Sequence, residues 1–181
     1  DLEEELRKVV EDLERKLRES IRETEEVMRR LEESVEESIR KTEEVVKRLR
    51  EKLEDVKRRN VDEEVVKKLE REVKEVIDRL REENRRHHET VKEIIKELEE
   101  KNRRLKKEAE DVIRELEKRL KSDEIRDTVR KAKEDVERLL EEDNRRIKEV
   151  LDRVAKLNKR DNETIERAEE EARKVLREIE K

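Results

Sequence analysis

Apolar residues fall at steps of three and four from one end of the chain to the other. The first third reads Leu2, Leu6, Val9, Val10, Leu13, Leu17, Ile21, Val27, Met28, Leu31, Val35, Ile39, Val45, Val46, Leu49, Leu53 and Val56. That spacing places one apolar stripe on one face of a helix. The apolar share is 29%, which matches about two core positions in seven, the narrow seam of a coiled coil or slim bundle. A second, partner-facing stripe has no residues left to build it.

Two breaks interrupt the pattern. Lys57-Arg58-Arg59 meets Glu63-Glu64 around Asn60-Val61-Asp62, the charge order that complements the end of one helix dipole and the start of another. Asn60 suits a left-handed closing residue and Asp62 an N-cap. The second break lies at Lys121-Ser122-Asp123-Glu124, with Ser122 as N-cap. The predicted helices cover about 1–59, 62–121 and 123–181. At ~1.5 Å per residue each spans roughly 85–90 Å. Near-equal helices with short connections predict an all-α, elongated, antiparallel up-down-up three-helix bundle forming a single domain over 1–181. A further break near Lys159-Arg160-Asp161-Asn162 would give four helices, but the apolar phase runs through it from Leu157 to Val175.

The helices repeat internally with a period of 18. Glu19-Ser20-Ile21-Arg22-Glu23-Thr24 returns as Glu37-Ser38-Ile39-Arg40-Lys41-Thr42, Asn84-Arg85-Arg86 as Asn102-Arg103-Arg104, and Asp143-Asn144 as Asp161-Asn162. Eighteen residues are five turns of 3.6, so the repeat keeps to one face of a nearly straight helix. The repeat lies inside each helix, which excludes a solenoid of supersecondary units.

Stepping by 18 also exposes polar residues on core-facing phases. Leu2 leads to Ser20 and Ser38, Leu6 to Thr24 and Thr42, and Val66 to Asn84 and Asn102. Leu69 leads to His87, Ile125 to Asp143 and Asp161, and Leu140 to Asn158. If position i of the first helix faces about 122 − i, and position j of the second about 244 − j, these residues gather into two layers. Ser20 and Thr24 come level with Asn102 and Asp143. Ser38 and Thr42 come level with Asn84, His87, Asn158 and Asp161. A buried amide or hydroxyl left unpaired costs about 1–3 kcal/mol, so two such layers penalise every wrong register. Asn144 and Asn162 share the phase of Arg126 and are flank positions.

Composition narrows the functional classes. The 181 residues include no Gly, Pro, Cys, Phe, Tyr or Trp. Glycine loops for phosphates, thiolate metal sites and disulfides are thereby excluded, and the redox compartment is unreadable. No apolar run approaches the ~20 residues of a membrane span, and no signal-peptide core is present. A soluble chain of unassigned localisation is expected. Lys and Arg number 53 against 58 Asp and Glu, a net charge of −5, without the basic stripe of a nucleic-acid binder.

The adjacent pair His87-His88 does not make a metal site, because neighbours on a helix point about 100° apart. His87 belongs with the second layer, where a pH-sensitive contact is conceivable; His88 shares its phase with Glu70 and Lys106 and should be exposed. Glu-rich stretches such as Glu89 with Lys92, or Glu93 with Lys96, read as solvated faces. A core one side chain thick leaves no room for a substrate pocket of ordinary size. The expectation is no enzyme, no catalytic, metal or cofactor residues, and no required partner.

With its Glu/Lys/Arg surface, Leu/Ile/Val core, Gly-free connections and the Ser20/Thr24/Asn102 and Ser38/Thr42/Asn84/His87 layers, the whole chain resembles de novo designed helical bundles with buried hydrogen-bond networks. The resemblance implies a straight, thermally stable bundle with no natural activity, used as a scaffold, heterodimer half, switch cage or assembly component. Members built to bind a partner helix expose a further apolar stripe, which is missing here. A monomeric scaffold whose layers fix helix register is therefore the leading expectation. The alternative is an interaction module, pairing with a designed helical partner or with itself, for which Ile21, Val65 and Leu151 supply a contact edge.

Overall fold

The computed structural model describes residues 2–119 and 123–180, with the side chain of Leu2 left aside. Those residues form three α-helices, α1 (Leu2–Arg58), α2 (Glu63–Arg119) and α3 (Asp123–Glu180). All three open on acidic residues, and α1 and α2 close on basic ones, Glu3, Glu4 and Glu5 against Lys57 and Arg58 in α1, whereas the last turn of α3 mixes Arg177 with Glu178 and Glu180. The acidic openings and basic closings complement the partial charges at the helix ends. α3 runs unbroken through Lys159–Asn162, as the continuous apolar phase requires.

The connection between α1 and α2 follows the sequence at one end and departs from it at the other. Asp62 caps α2, its Oδ1 accepting the Val65 amide at 3.2 Å and its carbonyl accepting Val66 N–H at 3.3 Å. Asn60, expected in the left-handed region, is not there: no described residue has a positive φ. The last turn of α1 closes instead through Arg59 N–H to the Asp55 carbonyl at 3.2 Å. Arg59 and Asn60 are exposed, so water satisfies the terminal carbonyls and nothing compels a residue with a Cβ into a strained conformation. Ser122, expected to cap α3, lies outside the described residues.

The chain divides into two compact units, each built from a stretch of all three helices. Unit 1 comprises residues 1–30 and 92–151, and unit 2 comprises 31–91 and 152–181. The core of unit 1 packs Leu6, Val10 and Leu17 of α1 against Ala109, Ile113 and Leu116 of α2 and Val129, Ala132, Val136 and Leu140 of α3. Unit 2 repeats the arrangement with Val46, Leu49 and Leu53, Leu69 to Leu80, and Ile165, Ala168, Ala172 and Leu176.

Ion pairs give the register within each unit. In unit 2, Arg50–Glu171 and Lys57–Glu178 join α1 to α3 at a separation of 121 residues. Glu32–Arg153 has the same separation, and so does Glu25–Arg146 in unit 1. A constant difference means parallel helices. α2 runs the other way, as Lys52–Glu72 in unit 2 and Glu23–Lys101 in unit 1 show. Up-down-up topology therefore holds inside each unit, within about two residues of the facing rule expected for α1 and α2.

Candidate functional site

Each unit holds one of the two polar layers. In unit 1, Thr24, Asn102 and Asp143 are buried and Ser20 is half-buried. Asn102 Nδ2 donates to Asp143 Oδ2 at 2.9 Å and to the Leu140 carbonyl at 3.3 Å, joining α2 to α3. Thr24 turns back on its own helix and donates to the Ser20 carbonyl at 3.1 Å. Ser20 thus enters the layer through its main chain, because a helical threonine readily bonds the carbonyl four residues before it.

The layer of unit 2 ties all three helices together. Asn84 Nδ2 donates to Asn162 Oδ1 at 2.5 Å, linking α2 to α3. His87 Nε2 and Ser34 Oγ lie 2.9 Å apart, linking α2 to α1. Thr42 of α1 is hydrogen-bonded to Asp161 of α3, and its hydroxyl also lies 3.1 Å from the Ser38 carbonyl. Asn84, Thr42 and Asp161 are buried, whereas Ser38, His87 and Asn158 are half-buried. Ser38, Asn84, His87, Asn158 and Asp161 all line one small cavity of about 10 Å³.

Three residues depart from the sequence expectation. Asn162, placed on the flank, is exposed yet reaches inward to Asn84: an amide at the rim of a narrow stripe needs only one rotamer to face the core. Ser34 was missed because its 18-residue phase is polar, although the facing rule puts it level with His88 and next to His87. His88, expected to be exposed, is half-buried and lines the same cavity, since two adjacent residues on α2 straddle the seam between α1 and α3.

Burial governs the electrostatics of both layers. Asp143 and Asp161 are each 2% exposed. Desolvation pushes both carboxyls above the usual carboxylate range. Against it work the Asn102 bond and Lys101 at Asp143, and the Thr42 bond at Asp161. Nearby Glu43 pushes Asp161 further up. Burial also holds the His87 imidazole below its ordinary value, favouring the neutral ring. In each aspartate Oδ1 has no hydrogen-bond partner among the described residues.

Surface clefts are larger than a core one side chain thick led us to expect. A groove of about 580 Å³ runs between α2 and α3 in unit 1, and one of about 590 Å³ between the same helices in unit 2. Both grooves run between the same two helices, beside cores that include the buried alanines 109, 132, 168 and 172. The floors are buried aliphatics such as Ile113, Val136 and Leu140, or Val73, Ile77 and Leu176, under rims of mixed charge. At one end of the second groove Glu70 hydrogen-bonds Glu180, which raises the Glu70 carboxyl. Among the described residues no group of three or more His, Cys, Asp or Glu could hold a metal ion, and no helix is long and apolar enough to cross a membrane.

A family model described as the G protein-coupled receptor kinase-interacting protein 1 C term matches residues 35–133, more than half of the chain. No curated protein matches it. Among solved structures, a computationally designed three helix bundle is similar, with a TM-score of 0.48 and 19% identity. That alignment covers 98% of this chain and 88% of the other.

Proposed function

The chain belongs to the family of the G protein-coupled receptor kinase-interacting protein 1 C term, and from that premise we propose a structural role: a scaffold of helices whose buried polar layers fix their register. The matched stretch, residues 35–133, is patterned helix in its described part apart from the connection at 59–62, and contains no Gly, Cys or aromatic residue. The match supports helix patterning, and no chemistry is proposed from it.

One observation carries the reading. The same 18-residue phase that builds the apolar core places Asp143 and Asp161, Asn102 and Asn84, and Thr24 and Thr42 at its buried positions, one of each kind per unit. A slip of one helical turn would put aliphatic groups against these amides and carboxyls and leave them unpaired. The absence of Gly, Pro, Cys and aromatics from 181 residues, with the repeat inside every helix, supports a de novo designed origin, and no natural activity is proposed.

A second reading, an interaction module, is favoured by Val9 and Val65, each 42% exposed, and by the name of the family, whose printed description is that of a kinase-interacting protein. The two readings separate on mass. Light scattering after size exclusion, at two protein concentrations differing tenfold, is expected to give 22.3 kDa at both. A mass of two or more chains that grows with concentration would pass the lead to the interaction module.

A further inference from the structure

The cavity of unit 2 has room for very little. At about 10 Å³ it matches the roughly 10–15 Å³ of probe-occupied volume that a single water needs. Val35, Val91 and Val154 are among its apolar lining, and Ser38, Asn84 and Asn158 add hydroxyl and amide groups. Into it faces Asp161, 2% exposed, whose Oδ1 is without a hydrogen-bond partner among the described residues.

We infer that this cavity is a binding site for one ordered water molecule, which donates to Asp161 Oδ1 and is held in turn by Ser38, Asn84 or Asn158. A buried water commonly makes about three hydrogen bonds to groups that otherwise lack partners, and these four side chains supply them. The nearby charge acting on Asp161 is Glu43, which repels a carboxylate rather than pairing with it, so the donor for Oδ1 is a neutral one. An organic ligand is excluded by volume. His87 and His88 also line the cavity, but among the described residues no group of three or more His, Cys, Asp or Glu is placed to hold a metal ion.

Asp143 provides the contrast. Its groove measures about 250 Å³ and is lined by Arg18, Arg22 and Arg146, so solvent and cationic side chains both reach that surface. The small single-water site belongs to unit 2. The inference stands whether or not the layers fix register.

The test uses the full chain. A crystal structure fine enough to show surface waters should place a water oxygen roughly 2.7–3.0 Å from Asp161 Oδ1. In solution, rotating-frame cross-relaxation between water and the Asn84 or Asn158 side-chain amides should report a long-lived water. Ser38→Val fills the space with a methyl group and keeps the Ser38 carbonyl, so it should abolish that signal while leaving the Asn102 amide unchanged. A dry cavity in the crystal, no cross-relaxation in the wild type, or a signal that persists in Ser38→Val would each overturn the inference. If Ser38→Val does not fold, the two wild-type measurements decide alone.

Discussion

Asp143 and Asp161 sit at equivalent phases of α3 and share the same burial, yet their partners differ. Asn102 supplies Asp143 with an amide donor at 2.9 Å. Thr42 has a single proton to give, for which the Ser38 carbonyl and Asp161 compete. Where Thr42 donates to Asp161 it favours the carboxylate, and so opposes the desolvation that raises the carboxyl. The consequence for stability has a definite sign. Both aspartates hold protons more tightly folded than unfolded, so their contribution is complete below the unfolded value near 3.8. It is lost as pH rises through the raised folded values. His87 works in the opposite direction: complete above 6.5, and lost as pH falls through the window beneath it. Urea midpoints measured across this range should show Asp143→Asn with Asp161→Asn removing the decline toward neutral pH. His87→Gln should remove the loss below 6.5. At pH 7 the double aspartate variant should be more stable by roughly 1–2 kcal/mol, since it discharges two buried groups; a less stable variant would mean that the charged forms are needed.

The threonines separate the layers at the same scale. Thr24 donates within its own helix, so Thr24→Val, which keeps the shape, should change stability by less than about 0.5 kcal/mol or raise it. Thr42 also serves Asp161, so Thr42→Val should cost about 1–2 kcal/mol and push Asp161 higher still. Equal effects in thermal or urea unfolding would show that Thr42 has no role across helices.

Among the elements, the helices were legible because their signals are local and repeated. Charge order and a capping aspartate marked the start of α2 from sequence, and Asp62 caps it by accepting Val65 N–H. Asp62→Ala should therefore cost about 1 kcal/mol, and Asp62→Asn a few tenths at most, read from denaturant midpoints. The closing conformation at Asn60 was not legible. An exposed end lets water do what a left-handed residue would do, and no residue type signals that choice. Register was legible because helices of nearly equal length leave few ways to fold back, and Lys52–Glu72 and Glu23–Lys101 fall within about two residues of where the facing rule puts them. Side-chain choices were not: Asn162 turning inward, Thr24 turning back on α1, and the furrows between α2 and α3 depend on rotamers and gaps that a periodic pattern does not encode.

For the molecule as a whole, the question is what the polar layers add that an apolar core would not. Replacing Thr24, Asn102, Asp143, Thr42, Asn84 and Asp161 by Val, Leu or Ile removes groups that are costly to bury, so the variant should resist denaturant better than the parent. Its helices would then be free to slide, because every turn of an 18-residue apolar repeat resembles the next. Cysteines placed at Arg50 and Glu171, whose long side chains meet across α1 and α3, report the native register when joined by a dithiol-reactive cross-linker of similar reach. With Arg50→Cys and Glu171→Cys in the parent, the cross-linker should bridge the pair nearly to completion in a chain that stays monomeric at 22.3 kDa before linking. In the apolar variant the same pair should be bridged less completely, while a cysteine one turn away, at Val175 in place of Glu171, should begin to compete. If the apolar variant forms the 50–171 bridge as cleanly as the parent and stays monomeric, helix lengths and charge pairs alone set the register. The layers would then have to be explained by something other than specificity.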